Sequence, residues 1–304
     1  MMKQEAPTVA QHLPRREFLA LATLGLTGTA LGCRSTAASA VITTPGPGAG
    51  MPAPAHRRTL LKLGVASYSL RNFPRDRAIA IVQALHVPYV NLNSVHLPYE
   101  SSLAELFAAR REVETAGLTI VGGGTITFDT DTDAGVARYF DYARAAGMPL
   151  IVATMDPAIL PRVERFAMRY DIRVAIHNHG PEDPHFPSPY DVLKAVRSMD
   201  PRVGLCIDIG HSARTGTDVV QSVADAGPRL LDMHAKDLRD LKDVSSQCIV
   251  GEGAMPVAEI LRQLVAMNYA GCVNLEYEID ADAPLPGMQQ SMAFMRGVLA
   301  AVVG

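Results

Sequence analysis

Arg173-Val174-Ala175-Ile176-His177-Asn178-His179, a Gly/Pro-rich loop, the segment Pro189–Ser198, and then Gly204-Leu205-Cys206-Ile207-Asp208-Ile209-Gly210-His211 form the stretch that decides the fold. The two outer runs are apolar and β-branched without a polar alternation, which is how a strand covered on both faces reads. The segment between them has a helical pattern with proline at its first turn. Strand, helix and strand together make a parallel crossover unit. Working outward, the same unit recurs. Strands are expected at Leu63–Ser69, Tyr89–Val95, Thr119–Gly123, Leu150–Thr154, Arg173–His177, Gly204–Ile209, Leu230–His234 and Cys272–Tyr277. Helices are expected at Arg75–Leu85, Leu103–Ala116, Asp133–Ala146, Pro157–Tyr170, Pro189–Ser198, Asp218–Ala226, Pro256–Met267 and Met288–Val302. Eight β-then-α units are the number that closes a barrel. The competing arrangement, an open doubly wound sheet binding a nucleotide, would place a spaced glycine fingerprint after the first strand. Ser67-Tyr68-Ser69-Leu70 stands there instead, and Gly122-Gly123-Gly124 comes after the third strand without that spacing. The expected fold is therefore an α/β protein, a (β/α)8 TIM barrel over residues 62–304.

The remainder of the chain is an address and a tether. Arg15-Arg16 precedes a Gly/Thr-diluted apolar run from Phe18 to Gly32, the pattern of a twin-arginine export signal, with Ala38-Ser39-Ala40 as a small-residue cleavage site. Lipid attachment at Cys33 is the alternative. Residues 41–61 carry Pro45, Pro47, Pro52 and Pro54 among glycines and read as a disordered linker. Removing residues 1–40 leaves a length close to the roughly 250 residues typical of an eightfold barrel. No other long apolar run occurs, so no membrane span is expected. A net charge of −3 gives no electrostatic footprint for nucleic acid. Four cysteines in 304 residues are too few for a disulfide scaffold. By pattern Cys206 and Cys272 are buried strand residues without chemistry, and Cys248 is a loop thiol that nothing activates.

The reactive side chains of such barrels sit at the C-terminal strand ends. The last four ends read His177-Asn178-His179, Asp208-Ile209-Gly210-His211, His234-Ala235-Lys236-Asp237 and Glu276-Tyr277-Glu278. Each finishes on a residue able to hold a metal. Strand residues two apart share a face, so His177 with His179, His234 with Lys236, and Glu276 with Glu278 point the same way. Two imidazoles and two carboxylates suit one divalent ion, Mn²⁺, Zn²⁺, Co²⁺, Fe²⁺ or Mg²⁺, more than Ca²⁺. Each residue also has a plainer reading. Asp208 caps a helix, His234 is a buried histidine bonded to backbone, and Glu278 takes the place of Glu276 or opens an acidic surface loop. Lys236 pairs with Asp237 or Asp240.

Asp208-Ile209-Gly210-His211, His234-Ala235-Lys236-Asp237 and Gly271-Cys272-Val273-Asn274-Leu275-Glu276, in that order, resemble the xylose isomerase-like barrel superfamily, its sugar phosphate isomerase/epimerase branch, over roughly Lys62 to Gly304. The resemblance implies a metal held at position 177 and by Asp208, His234 and Glu276. The family has glutamate at the first of these, and this chain has His177. One of the two carboxylate bases that would move a proton between the faces of a ketose through an enediolate is then missing. Glu276 and His179 remain as acid/base candidates, with Lys236 to stabilise negative charge. His211, His185 and His96 are the substrate-binding candidates, and Glu182, Asp183 and His185 form a wall or lid.

The expected function is that of an exported, periplasmic or extracellular, metal-dependent sugar isomerase or epimerase acting on a small carbohydrate. A lyase or hydrolase of keto-sugar glycosides is the nearest alternative. A non-catalytic sugar-binding barrel is another. The DNA-repair endonuclease branch of the superfamily is disfavoured by the acidic chain. Such barrels often pair, so a homodimer is possible.

Overall fold

The computed structural model describes residues 61–303; the expected export signal and the expected linker up to residue 60 lie outside the described residues. Eight parallel strands close into a barrel. They are β1 (Lys62–Ala66), β2 (Tyr89–Leu92), β3 (Thr119–Phe128), β4 (Leu150–Met155), β5 (Arg173–His177), β6 (Val203–Asp208), β7 (Leu230–Ala235) and, after a two-stranded ribbon of β8 (Asp237–Leu238) and β9 (Gln247–Cys248), β10 (Cys272–Leu275). Round the barrel the order is β1, β10, β7, β6, β5, β4, β3, β2, each hydrogen-bonded to the next, so the expected closed architecture is present. The outer ring is α1 (Arg75–Ala84), α2 (Leu103–Thr115), α3 (Asp133–Ala146), α4 (Leu160–Tyr170), α5 (Pro189–Val196), α6 (Ile209–Arg214), α7 (Val219–Ala226), α8 (Val257–Ala266) and α9 (Leu285–Val303). No helix of the described residues is long and apolar enough to cross a membrane.

Local chemistry explains the boundaries. Ser102 and Glu105 close a capping box at the start of α2, the Thr132 hydroxyl accepts from Gly135 N–H at the start of α3, and Asp218 accepts from Gln221 N–H at the start of α7. Gly147 ends α3 at φ 73°, a left-handed backbone that a β-carbon disfavours. The strands are buried on both faces: every residue of β6 and β7 is buried, as continuous apolar runs between helices and barrel interior require. Inside the barrel, Leu150, Val152, Ala175, Cys206 and Leu231 form their own packed cluster.

Four departures from the expected outline matter. β1 stops at Ala66 and turns into a 3-10 segment, and β2 stops at Leu92, so His96 stands in a turn beyond the strand. β3 runs on to Phe128 through the glycine run, where the register against β4 shifts and Gly124 takes φ 140°. An additional short helix, α6, follows β6 directly, ahead of the expected helix α7, with Gly216 at φ 79° between them. The β8–β9 ribbon has no counterpart in the expected outline. It buries Cys248 in a strand rather than leaving it in a loop.

Candidate metal and active site

Register places the key side chains before any long-range contact is considered. Asp208 of β6 pairs with His234 of β7, His234 pairs with Asn274 of β10, and His177 of β5 pairs with Cys206. Glu276 comes directly after β10, its N–H donating to the Ala235 carbonyl at 2.9 Å. Four neighbouring strand ends therefore deliver His177, Asp208, His234 and Glu276 to one point. One ligand atom from each lies within 4.8 Å of all the others, and all four residues are buried.

Asp208 shows how one carboxylate serves two purposes. Its Oδ1 accepts from the His211 N–H at 2.8 Å and caps α6, as its helix-cap reading requires. Its Oδ2 is turned into the barrel mouth and makes no well-formed hydrogen bond, although the Lys236 Nζ stands 3.0 Å away and His177 Nε2 3.6 Å away. Asn178, between the two histidines of β5's end, holds this arrangement: its amide donates to the Asp208 carbonyl and accepts from the Asp208 N–H at 3.0 Å.

The two imidazoles face each other, His177 Nε2 to His234 Nδ1 at 3.1 Å, so only one of these nitrogens can carry a proton. Burial pulls the His177 pKa down to about 3, which keeps it neutral and able to donate a lone pair. Burial also resists charge on His234, but the Cys206 thiol and the Glu276 carboxylate outweigh it and raise its pKa. Since burial pushes the Cys206 thiol itself up to about 12, Glu276, 3.2 Å from Nδ1, is the charge that His234 answers at neutral pH. For Glu276, burial is outweighed by His234 and Lys236, and its pKa lies well below the usual carboxylate range.

Lys236 reaches into the same cluster. Its ammonium lies 3.0 Å from Asp208, 2.9 Å from Glu276 and 2.6 Å from Glu278. Its partners are thus not Asp237 or Asp240, because the side chain points inward with His234 as strand parity requires. Burial opposes its charge, yet the three carboxylates hold its pKa well above the ordinary lysine value. With His234 neutral, as a ligand must be, three carboxylates against one ammonium leave an excess of two negative charges, and a dication displacing the His234 proton would cancel it. Buried Asp208 Oδ2, which faces the same point as His234 Nδ1, lacks a hydrogen-bond partner, and that costs free energy unless something is coordinated there. The donor set, two imidazoles and two carboxylates, fits a divalent transition metal.

A cavity of about 340 Å³ opens onto this cluster, lined by His177, His179, His211, Glu276 and Glu278 together with Tyr68, Asn93 and Thr125. His179 lies outside the four-ligand set, with its ring centroid 4.3 Å from that of His177 and its Nδ1 3.5 Å from Asp183. Burial, then the charge of His211, lowers its pKa, so at neutral pH it is unprotonated and free to accept a proton. His211 receives a hydrogen bond at Nδ1 from Arg214 at 3.1 Å. A guanidinium only donates, so the His211 proton sits on Nε2. The Arg214 side chain is buried and is held in turn by Glu182.

Not every expected residue joins the site. His185 lies in a neighbouring cavity, 3.9 Å from Asp156. His96 is corrected outright. It is 3% exposed, and its two ring nitrogens meet the Ser67 hydroxyl at 3.0 Å and the Leu70 carbonyl at 3.2 Å. With β2 ending early, its ring ties the β1 turn to the wall instead of facing substrate. Glu278, expected as a surface residue or a stand-in for Glu276, instead neutralises Lys236 and lines the cavity. Asn178, Arg214, Tyr68, Asn93 and Thr125 join the site without having been expected there. Only Asn178 had a visible signal, its place between two histidines.

A closed eightfold barrel with one buried His/carboxylate cluster at its C-terminal mouth defines the class. A family model described as xylose isomerase-like TIM barrel matches residues 76–298, and the chain belongs to that family. Its fold is similar to that of an uncharacterised protein from Parabacteroides distasonis ATCC 8503, at 24% identity and TM-score 0.63, covering 79% of this chain and 99% of that one. It is also similar to D-psicose 3-epimerase from Clostridium cellulolyticum H10, solved with D-tagatose, at 16% identity and TM-score 0.65, covering 79% and 99%. An L-ribulose 3-epimerase superposes at 13% identity and TM-score 0.66, covering 80% and 95%. No curated protein matches the chain.

Proposed function

We propose that the protein is a divalent-metal-dependent sugar isomerase or epimerase that moves a proton on the carbon beside a carbonyl. The observation that carries this reading is the placement of His179 beside the four-ligand cluster, its ring 4.3 Å from that of His177, where both line one cavity with Glu276. The sugar epimerases among the structural neighbours support it. His177, Asp208, His234 and Glu276 would hold the ion, which when bound supplies positive charge to a substrate oxygen. His179 takes the proton at its Nε2, since Nδ1 faces Asp183 and His177. His211 donates from Nε2 to a sugar hydroxyl, and the Lys236 ammonium keeps the Glu276 carboxylate ionised. Incubation of the metal-loaded protein with ketohexoses in deuterated water tests the reading. The expected result is one deuterium incorporated beside the carbonyl with no loss of a fragment. Recovery of every ketohexose unlabelled, together with no labelling of a keto-disaccharide such as lactulose, would reject it.

A second reading rests on one departure. His177 stands where the resembling family has glutamate, which leaves the site one carboxylate short of a symmetrical two-base arrangement. A single base beside a ketone suits elimination from a keto-sugar glycoside, and release of the aglycone would mark that chemistry. We further propose export of the mature chain, from Arg15-Arg16 and the apolar run behind them. Replacing both arginines by lysine should retain the protein in the cytoplasm.

A further inference from the structure

The metal-facing cavity has a larger neighbour. A second cavity of about 620 Å³ opens beside it, and His179 forms part of the wall of both. Its floor is apolar, made by Phe128 at the end of β3, Met155 at the end of β4 and Ile159 just beyond. Its sides carry Asp129, Asp156 and Asp183, each anchored yet with acceptor lone pairs to spare. Asp129 pairs with Arg138 at 3.0 Å, Asp156 caps Ala158 N–H at 2.8 Å, and Asp183 accepts from the His185 and Phe186 N–H groups. Among the described residues lining either cavity there is no arginine or lysine. The cations beside the linings are already engaged, Arg138 by Asp129, Lys236 by three carboxylates and Arg214 by His211 and Glu182.

Phosphate recognition needs cationic forks or convergent N–H donors, and an acidic wall repels a phosphoryl group. A neutral sugar ring needs the opposite, an apolar surface for its C–H face and carboxylate acceptors for its hydroxyls. A single ring over the metal cluster would leave the larger lobe to water. From this two-lobed shape we infer that the substrate is an unphosphorylated two-unit glycoside. Its reacting ring lies over the His/carboxylate cluster, and its second ring occupies the lobe floored by Phe128, Met155 and Ile159. The inference rests on the reading of the metal-facing lobe as a sugar site, and it adds the substrate class.

Calorimetric titration of the Mn²⁺-loaded protein tests it with sucrose, trehalose, cellobiose and lactose, against glucose, fructose and their 6-phosphates. At least one disaccharide should bind about tenfold more tightly than the monosaccharides and the phosphates, a difference of about 1.4 kcal/mol. The paired substitution Asp129→Asn/Asp156→Asn should remove most of that advantage; asparagine still caps a helix at position 156, so the turn survives. The chain contains no tryptophan, so Pro184→Trp on the exposed rim places a unique fluorophore at the larger lobe. Its emission should respond to the disaccharide and not to glucose or fructose. Tightest binding by a 6-phosphate, or disaccharides no tighter than monosaccharides, would overturn the two-unit substrate and leave the isomerase reading standing. A metal-loaded protein that binds no sugar of any kind would overturn both.

Discussion

Asp208 divides its two oxygens between structure and chemistry, and that division can be separated by substitution. In Asp208→Asn the side-chain oxygen still caps α6 through the His211 N–H, while the charge facing Lys236 and His177 is lost. The variant should fold and lose stoichiometric metal, measured by elemental analysis of purified protein. His179→Gln should behave differently, because it removes a proton acceptor outside the ligand set. Metal content should hold while kcat falls by roughly 10²–10⁴, the usual contribution of a general base. His96 offers a test on stability alone. Its folded pKa lies below the ordinary 6.5, chiefly through burial. Between the folded and unfolded values the unfolded chain binds more protons, so this stabilising difference is present above about pH 6.5 and is lost as pH falls toward the folded value. His96→Gln should therefore show a shallower fall in Tm between pH 7.5 and 5.5 than the parent chain. An equal fall in both would show that His96 is not the group titrating.

At the scale of elements, the site depends on the segment that leaves each strand. The ribbon β8–β9 and the loop behind it are organised by Asp237, the residue after Lys236. Its buried carboxylate accepts from the N–H groups of Leu238, Gly251, Gly253 and Met255 at 2.9 to 3.1 Å. Gln247 of β9 then donates to the Glu276 carbonyl and accepts from the Glu278 N–H, so the ribbon sets the height of both glutamates. Hydrogen bonds to a buried charge are worth about 1.5–3 kcal/mol each when a donor is left unpaired. Asp237→Ala should cost about 3 kcal/mol or more and accelerate hydrogen exchange at Gly251, Gly253 and Met255, with lesser effects on α2 and α3. Unchanged exchange in this loop would mean that other contacts hold it.

Across the whole molecule, closure of the barrel gathers charges that could not stay together without compensation. Asp208, Glu276 and Glu278 surround a single ammonium, and the four-ligand cluster lies in buried surroundings. Ion binding should therefore stabilise the fold. At a free metal concentration about a hundredfold above Kd the gain is about 2.7 kcal/mol. For a domain of this size that is roughly 5–10 °C in Tm, the difference expected between Mn²⁺-loaded and chelated protein. The Asp208→Asn variant should show almost none of it. Because β5, β6, β7 and β10 all contribute, the shift should appear in one cooperative transition.

Much of the architecture is readable in the chain. Apolar runs of strand length, separated by helical patterns, determine a parallel sheet covered by helices, since no other layering buries them. Eight repeats determine closure, and the last four strand ends name their ligand candidates, because a strand's C-terminal residue must face the barrel mouth. Residues 180–187, 209–216 and 237–256 carry no comparable periodicity, and the roles of Glu182, Arg214 and Gln247 come in part from partners about thirty residues away. Arg214 orients His211 only because the loop carrying Glu182 folds back over it. Glu278 reads as surface until Lys236 is seen to point inward. His96 reads as a mouth residue until β2 ends three residues before the expected boundary. The two-lobed cavity belongs to no segment at all: its larger lobe lies between the ends of β3, β4 and β5, its metal-facing lobe takes residues from beyond β1, β2, β6 and β10 as well, and only their packing in three dimensions gives it a size and a lining.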